Sequence, residues 1–151
     1  MDAISFLKKQ HTKIRESFSE IQKKSHHRDT QKKMFSELSD FLINHETMEQ
    51  QIWYPFLETL AIEKINKLIK HLTAEEKKAH ESIDKIKEIN SKDAWSVWES
   101  KITKLNQDVD QHANEEESKL FPEVLNQLPK EKLELIGLEM HRFFQSERWL
   151  K

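Results

Sequence analysis

The chain has 151 residues and a formal net charge of −2, with 34% charged and 36% hydrophobic residues. One glycine, three prolines and interspersed Lys and Glu are typical of long helices with solvated outer faces rather than of a disordered chain. The lack of cysteine excludes disulfides, thiolate metal sites and iron–sulfur clusters, and no basic block argues for nucleic-acid binding.

The sequence shows no signal for secretion or for the membrane. No apolar run approaches the roughly 20 residues that span a bilayer. Residues 1–10 carry charges and lack the long apolar run of a signal peptide. We therefore expect one cytoplasmic domain covering residues 1–151, with no membrane or nucleic-acid partner.

The first predicted helix has apolar residues at a/d spacing, namely Ile4, Leu7, Ile14, Phe18 and Ile21. His11 takes the missing place in this series, so we expect it on the buried stripe. The polar stretch 23–30 predicts a loop, with Asp29 or Thr30 capping the next helix.

The second helix is predicted over about residues 31–60. Its stripe contains two polar residues among apolar ones: Phe35, Leu38, Leu42, His45, Glu49, Ile52 and Phe56. Pro55 is expected to bend this helix, because proline removes a backbone donor and clashes with the preceding turn.

The third helical region covers about residues 62–90. Its inner face is marked by Ile65, Ile69, Leu72, Ile83 and Ile86. His80 is placed beside this face. Thr73-x-x-Glu76 has the form of a capping box, which leaves open two helices in series.

The fourth helix is predicted to start near Ser91 or Asp93. Its stripe is Trp95, Trp98, Ile102, Leu105, Val109, His112, Glu116 and Leu120. Pro129 precedes a last short helix, over about 130–150, whose apolar face holds Leu133, Ile136, Met140 and Phe144. Long amphipathic helices with short connections predict an all-α, antiparallel up-down four-helix bundle, here with an extra short C-terminal helix.

One motif occurs twice, as His45-x3-Glu49-x5-Pro55 and, 67 residues later, as His112-x3-Glu116-x5-Pro122. The segment 6–11 also resembles 75–80, so that His11 corresponds to His80. The two halves of the chain are therefore predicted to be copies of one helical hairpin that pair in pseudo-twofold fashion.

Several polar residues fall on core positions: His11, His45, Glu49, His112 and Glu116, with His80 at the edge of its stripe. A buried carboxylate without a partner is costly. A hydrogen-bonded structural network is the alternative, but a metal centre would neutralise the carboxylates and accept the imidazole lone pairs. Six ligands with two carboxylates exceed one tetrahedral zinc and suit two metals, with iron or manganese favoured by nitrogen and oxygen donors.

In combination, these residues resemble the hemerythrin-like, or HHE cation-binding, domain family. Its pattern is a histidine in helix 1, His-x3-Glu ending helix 2, a histidine in helix 3 and His-x3-Glu in helix 4. The matching residues are His11, His45 with Glu49, His80, and His112 with Glu116, and the pairs Tyr54-Pro55 and Phe121-Pro122 also match. The resemblance implies a non-heme di-iron centre, that is, two Fe ions with an oxo or hydroxo bridge, with Glu49 and Glu116 as bridging carboxylates.

The chain departs from oxygen-carrying members of the family at Glu76, where those proteins have a second helix-3 histidine. A variant similar to the hemerythrin domain of an iron-sensing F-box protein instead uses the Glu that follows the helix-2 histidine, here Glu46. Glu46 or Glu76 is therefore expected as a seventh ligand, with Glu46 favoured because Glu76 has a capping alternative. A carboxylate in place of an imidazole favours ferric iron and argues against simple oxygen carriage.

Three functions are compatible with this ligand set. The first is binding or sensing of dioxygen or a related small ligand. The second is an enzyme that decomposes hydrogen peroxide or reduces nitric oxide with iron as its redox group. The third is iron storage or donation. The sequence ranks binding first and does not decide whether the protein is an enzyme.

The other histidines are expected outside the site. His26 and His27 are placed in the loop, and His71 on the surface. His141 is interpreted as a packing or exposed residue of the last helix. The tryptophans and Tyr54 are expected to pack in the core or at the bundle ends.

Overall fold

The computed structural model of the chain describes residues 1–89 and 94–149, with the side chains of 146–149 left aside. Within these ranges the secondary structure is helical, without strands, as the sequence predicts. The α-helices are α1 (Ala3–Ile21), α2 (Arg28–Met48), α3 (Tyr54–Glu58), α4 (Glu63–Lys87), α5 (Trp95–Glu115), α6 (Phe121–Gln127) and α7 (Lys130–Trp149). Two π-helical turns, Glu49–Trp53 and Glu116–Leu120, join α2 to α3 and α5 to α6.

The four long helices α1, α2, α4 and α5 pack in a closed circuit, in which α1 contacts α2 and α5, and α4 contacts the same two helices. Helix α7 lies outside this circuit, against α1 and α2. None of the described helices has the length and apolar character needed to cross a lipid bilayer.

The apolar core is divided into two clusters. On α1, Leu7 belongs to one cluster and Ile14 to the other; on α2, Leu42 and Met48 are separated in the same way. Helix α4 repeats this division, and so does α5 together with the π-helical turn that follows it, with Val109 in the second cluster and Leu120 in the first. Between the clusters each long helix buries polar residues, so a polar layer crosses the interior at about mid-length.

Both copies of the repeated motif contain a π-helical turn at the same place. The Tyr54 N–H donates to the Glu49 carbonyl, and the Phe121 N–H donates to the Glu116 carbonyl, each five residues back. A proline follows at the next position in both cases, at the start of α3 and α6. The prolines do not end the helices. Proline lacks the backbone N–H donor of other residues, and the wider π-helical turn before each proline tolerates this loss.

Two local expectations are wrong, and a third concerns residues that the structure does not describe. The N-cap of α2 is His27, whose Nδ1 accepts from the Asp29 N–H at 3.2 Å, rather than Asp29 or Thr30. Helix α4 is unbroken at the predicted capping box, because the Glu76 side chain points into the core. The predicted helix starts Ser91 and Asp93 lie outside the described residues, which resume at Ala94 before α5.

The only glycine of the chain, Gly137, lies where α7 crosses the start of α1. A Cβ at this position would stand 2.5 Å from the Met1 carbonyl oxygen and 2.8 Å from the Ala3 amide nitrogen. Both are backbone atoms, so a side chain cannot be accommodated by rotating a neighbouring side chain. The close approach of α7 to α1 therefore depends on glycine.

We expect Gly137→Ala to destabilise the protein by about 1–3 kcal/mol, the usual cost of overpacking. Alanine has the higher helix propensity, by roughly 1 kcal/mol, so a loss would isolate the packing effect. Urea unfolding followed by circular dichroism measures the change, with the exposed Glu139→Ala on the same helix as control. A Gly137→Ala protein as stable as the wild type would contradict the close approach.

Candidate metal centre

Two groups of potential ligand atoms meet in the polar layer. Within each group, one nitrogen or oxygen atom of every residue lies within 4.8 Å of the others. The first group is His11, His45 and Glu116; the second is Glu49, Glu76, His112 and Glu116. All six residues are buried. Glu116 belongs to both groups, which places one carboxylate between two candidate metal positions.

The second group is the more compact. The His112 Nε2 atom lies 2.9 Å from Glu116 Oε1 and 3.0 Å from Glu76 Oε2. In the first group, the His11 Nε2 atom lies 3.9 Å from Glu116 Oε1. The His45 Nε2 atom lies 3.0 Å from Glu49 Oε1, which links the two groups a second time.

Five buried atoms of this layer have no hydrogen-bond partner among the described residues: His11 Nε2 and both carboxylate oxygens of Glu49 and of Glu116. Of the short distances above, the one between His112 Nε2 and Glu76 Oε2 is a hydrogen bond, and the others bring polar atoms together without one. Leaving buried charged acceptors unsatisfied is expensive. A cation among these atoms removes the cost, so the residues present fit a metal centre.

Each histidine is oriented by a hydrogen bond from its outer nitrogen. The Nδ1–H groups of His11, His45 and His112 donate to Glu117 (2.6 Å), Gln10 (2.7 Å) and Glu75 (3.0 Å). This assignment follows from the acceptors, because Gln10 Oε1 can only accept. The Nε2 lone pairs of His11 and His45 are thereby left facing the layer, which is the arrangement of metal-ligating histidines, while His112 Nε2 faces it in a hydrogen bond with Glu76.

Glu76 is the contribution of α4 to the layer, and its side chain is held at both oxygens. The Tyr54 hydroxyl donates to Oε2 at 2.8 Å, and the Gln50 amide donates to Oε1 at 2.8 Å. Burial, and then the nearby Glu116, raise the pKa of Tyr54 well above its usual value, so the phenol keeps its proton. For Tyr54 a packing role was favoured over a reach toward the site, and the buried side chain does reach the site, where it orients a candidate ligand.

The pKa values of the two central carboxylates, Glu49 and Glu116, shift in opposite directions. Burial, and then the neighbouring Glu116, raise the pKa of Glu49 well above its usual value. Burial also acts to raise the pKa of Glu116, but the adjacent Glu49 carboxyl and His112 imidazole outweigh it and lower the pKa. Without a metal, Glu49 therefore carries a proton that a bound cation would displace.

The pKa values of His45 and His112 also shift in opposite directions. Burial, and then the nearby His11, lower the pKa of His45 to about 3, so its ring is neutral and ready to bind a metal. Burial acts to lower the pKa of His112 too, but hydrogen bonds to carboxylates, Glu116 first, raise it well above its usual value. In the absence of a cation, His112 supplies part of the compensating positive charge.

The structure corrects the expectation for His80. Its side chain is 50% exposed and its Nε2 lies 3.8 Å from Asp84, on the outside of α4. His80 is not in either buried group. The physical reason is helix phase, because the residue before it, Ala79, occupies the inner face and His80 is turned away by about 100°, the rotation per residue of an α-helix.

Glu76, the less favoured candidate for the seventh ligand, could have been preferred from the sequence. The buried residues of α4 follow an uninterrupted series with spacings of four and three: Ile65, Ile69, Leu72, Glu76, Ala79, Ile83 and Ile86. The capping-box interpretation removed Glu76 from that series. Glu46, the favoured seventh ligand, is buried but lies outside both groups.

The remaining histidines lie outside the buried layer. His71 is exposed and contacts Glu115 (2.8 Å) and Glu75 (3.4 Å) in a third, surface group. His26 contacts Glu20 in the loop between α1 and α2 at 2.7 Å. His141 is exposed and packs edge-on against Phe6.

A helical protein with a buried layer of imidazoles and carboxylates belongs to the metal-binding class. The model of the hemerythrin HHE cation-binding domain matches residues 2–124, and the chain belongs to this family. The match ends before α7, so the Gly137 contact lies outside the family's pattern.

A solved structure has the same fold. A hemerythrin HHE cation-binding domain-containing protein from Mycobacterium kansasii superposes with a TM-score of 0.83 at 22% sequence identity. The alignment covers 98% of this chain and 88% of that chain, so α7 lies within the shared fold. A search of curated proteins finds no match.

Proposed function

We propose that the chain holds two iron ions in the polar layer, with Glu116 as the ligand common to both. The single observation that carries the proposal is the place of Glu116 in both ligand groups, fully buried and with both oxygens unpartnered. The ligands are three imidazoles and three carboxylates without thiolate, a set that suits iron or manganese. Family membership in a cation-binding group supports the same conclusion.

The proposed scaffold is one domain in the form of an antiparallel up-down four-helix bundle, to which α7 is added. The division of the core supports it. Helix α1 passes from the first apolar cluster to the second and α2 passes back. Helix α4 repeats the first direction, and α5 with the π-helical turn and α6 repeats the return. Such a bundle brings a ligand from each long helix to one layer.

The function that this site supports best is the binding or sensing of dioxygen or a related small ligand. Iron supplies a redox-active centre with coordination positions that six protein ligands shared by two ions do not fill. The chain itself contributes apolar clusters on both sides of the layer. The Tyr54 hydroxyl holds Glu76 in place, and the outer hydrogen bonds keep the imidazoles oriented.

A second candidate, an enzyme acting on hydrogen peroxide or nitric oxide, is favoured by the carboxylate at Glu76. Anionic ligands stabilise ferric iron, which favours turnover over reversible carriage. No observation on the described residues favours the third candidate, iron storage or donation.

Iron titration of the metal-free protein under anaerobic conditions tests the proposal. We expect two ferrous ions per chain, and, on exposure to oxygen, a visible absorption band that disappears when oxygen is removed. One ion per chain would refute the shared-ligand centre. Two ions followed by irreversible oxidation and steady consumption of peroxide or nitric oxide would establish the enzyme instead.

A further inference from the structure

A cavity of about 410 Å³ lies beside the ligand groups, on the side of the second apolar cluster. His45, Glu46 and Glu76 are part of its lining near the metal layer. Its apolar wall is formed by Ile14, Phe18, Leu42, Ala79 and Val109. The lining also includes the exposed residues His71, Lys78 and Lys104, so the cavity reaches the surface at α4 and α5.

This volume is far larger than a diatomic ligand requires. A water molecule, similar in size to dioxygen, takes about 30 Å³ in the liquid, and an engineered apolar cavity of about 150 Å³ in another protein holds benzene. The cavity here therefore has room for an organic molecule with at least one ring. Its volume is typical of sites that bind organic ligands, roughly 300–1,000 Å³.

The wall includes several polar residues, such as Arg15, Glu75 and Asp110, and the polar residue next to the apolar wall is Glu46. Its side chain is 7% exposed and forms no hydrogen bond with any residue that the structure describes. Glu46 is outside both ligand groups, and its oxygens are not among the fully buried atoms without a partner, so they are reached from the cavity. An occupant that displaces water from these oxygens must supply a donor in its place.

We propose that the cavity binds a neutral organic molecule with an apolar body about one aromatic ring in size and one hydroxyl group, which donates to Glu46. Phenols and compact alcohols have this chemistry. The inference rests on the proposed function, because such a ligand would lie beside the iron centre and define the substrate or signal class of the site. A diatomic ligand alone would leave Glu46 unsatisfied and most of the cavity unused.

Phenol and benzene are suitable probes, because they differ by the hydroxyl group alone. Binding to the iron-loaded full chain is measured by calorimetry or ligand-detected NMR, with the iron content of each sample determined. Phenol is expected to bind saturably at one per chain and more tightly than benzene. Absence of saturable binding by either probe, in a protein holding two iron ions, would overturn the inference and leave the iron centre intact.

Ala79→Leu fills the apolar wall and is expected to weaken phenol binding at least tenfold. Ala74→Leu makes the same change on the exposed face of the same helix and should have no effect. Circular dichroism and iron content establish that both variants fold. Equal binding by the two variants would place the probe elsewhere and contradict the proposal.

Glu46→Leu removes the acceptor and serves as an independent test if Ala79→Leu does not fold. Loss of one hydrogen bond is expected to weaken phenol about tenfold, while benzene binds no more weakly. Glu37→Leu, on the exposed face of α2, is the matched control.

A fall in iron content in Glu46→Leu would instead identify Glu46 as a metal ligand and refute its role as the acceptor for the organic molecule. Phenol binding in a chain that takes up no iron would separate the cavity from the proposed function.

Discussion

Glu116→Ala is expected to abolish iron binding at both positions rather than at one. Glu116 is the residue common to the two ligand groups, and both of its oxygens are buried and unpartnered. Loss of an outer hydrogen-bond partner of a ligand already lowers metal affinity roughly 10- to 100-fold. Removal of a ligand shared by two ions should cost roughly 100-fold or more at each position.

The metal-free Glu116 variant should not share this loss. Without a cation, wild-type Glu116 raises the pKa of the adjacent buried Glu49, so that Glu49 has to take up a proton when the chain folds. Thermal unfolding of the metal-free Glu116→Ala protein is therefore expected at a temperature no lower than that of the metal-free wild type. With iron added, the order should reverse, because only the wild type gains stability from the bound ions.

Metal analysis after gel filtration and thermal scans with and without iron measure both effects. Glu99→Ala, an exposed substitution on α5, is the control and should resemble the wild type in each measurement. Retention of one iron ion per chain by Glu116→Ala would show that the two positions do not share this ligand. A large loss of stability in the metal-free variant would show a structural role for Glu116.

The sequence predicted most of the helices because their burial repeats with the period of a helix. Leu42, His45 and Glu49 are buried as their stripe on the second helix predicts, and so are His112 and Glu116 on the fourth. The pattern of apolar and polar residues depends only on which face of a helix is buried. It therefore predicts a helix without knowledge of the helices that pack against it.

Other features depend on geometry that the pattern does not contain. The π-helical turns before Pro55 and Pro122 follow from backbone hydrogen bonds, and the sequence indicated only a bend. The cavity beside Glu46 arises from the spacing between helices, which no single stripe specifies. His80 was misplaced because a resemblance between segments was given more weight than the heptad phase of α4.

Glu76 and His80 offer a direct test of the ligand from α4, because both stand on one helix and only one faces the layer. Glu76 is 1% exposed and lies 3.0 Å from the His112 Nε2 atom, whereas the His80 side chain is 50% exposed. Glu76→Ala is expected to lower iron affinity roughly 100-fold or more, and His80→Ala to leave it unchanged. Competition with a chelator of known affinity measures both.

Tyr54→Phe provides the intermediate case. The phenol donates to Glu76 at 2.8 Å, so its loss should lower iron affinity by roughly 10- to 100-fold while the ligand remains. Three outcomes are thus ordered in advance: a large loss for Glu76→Ala, a smaller loss for Tyr54→Phe and none for His80→Ala. If His80→Ala were the most damaging of the three, α4 would have to rotate by about 40°, the angle between residues four apart on a helix, in the iron-bound protein.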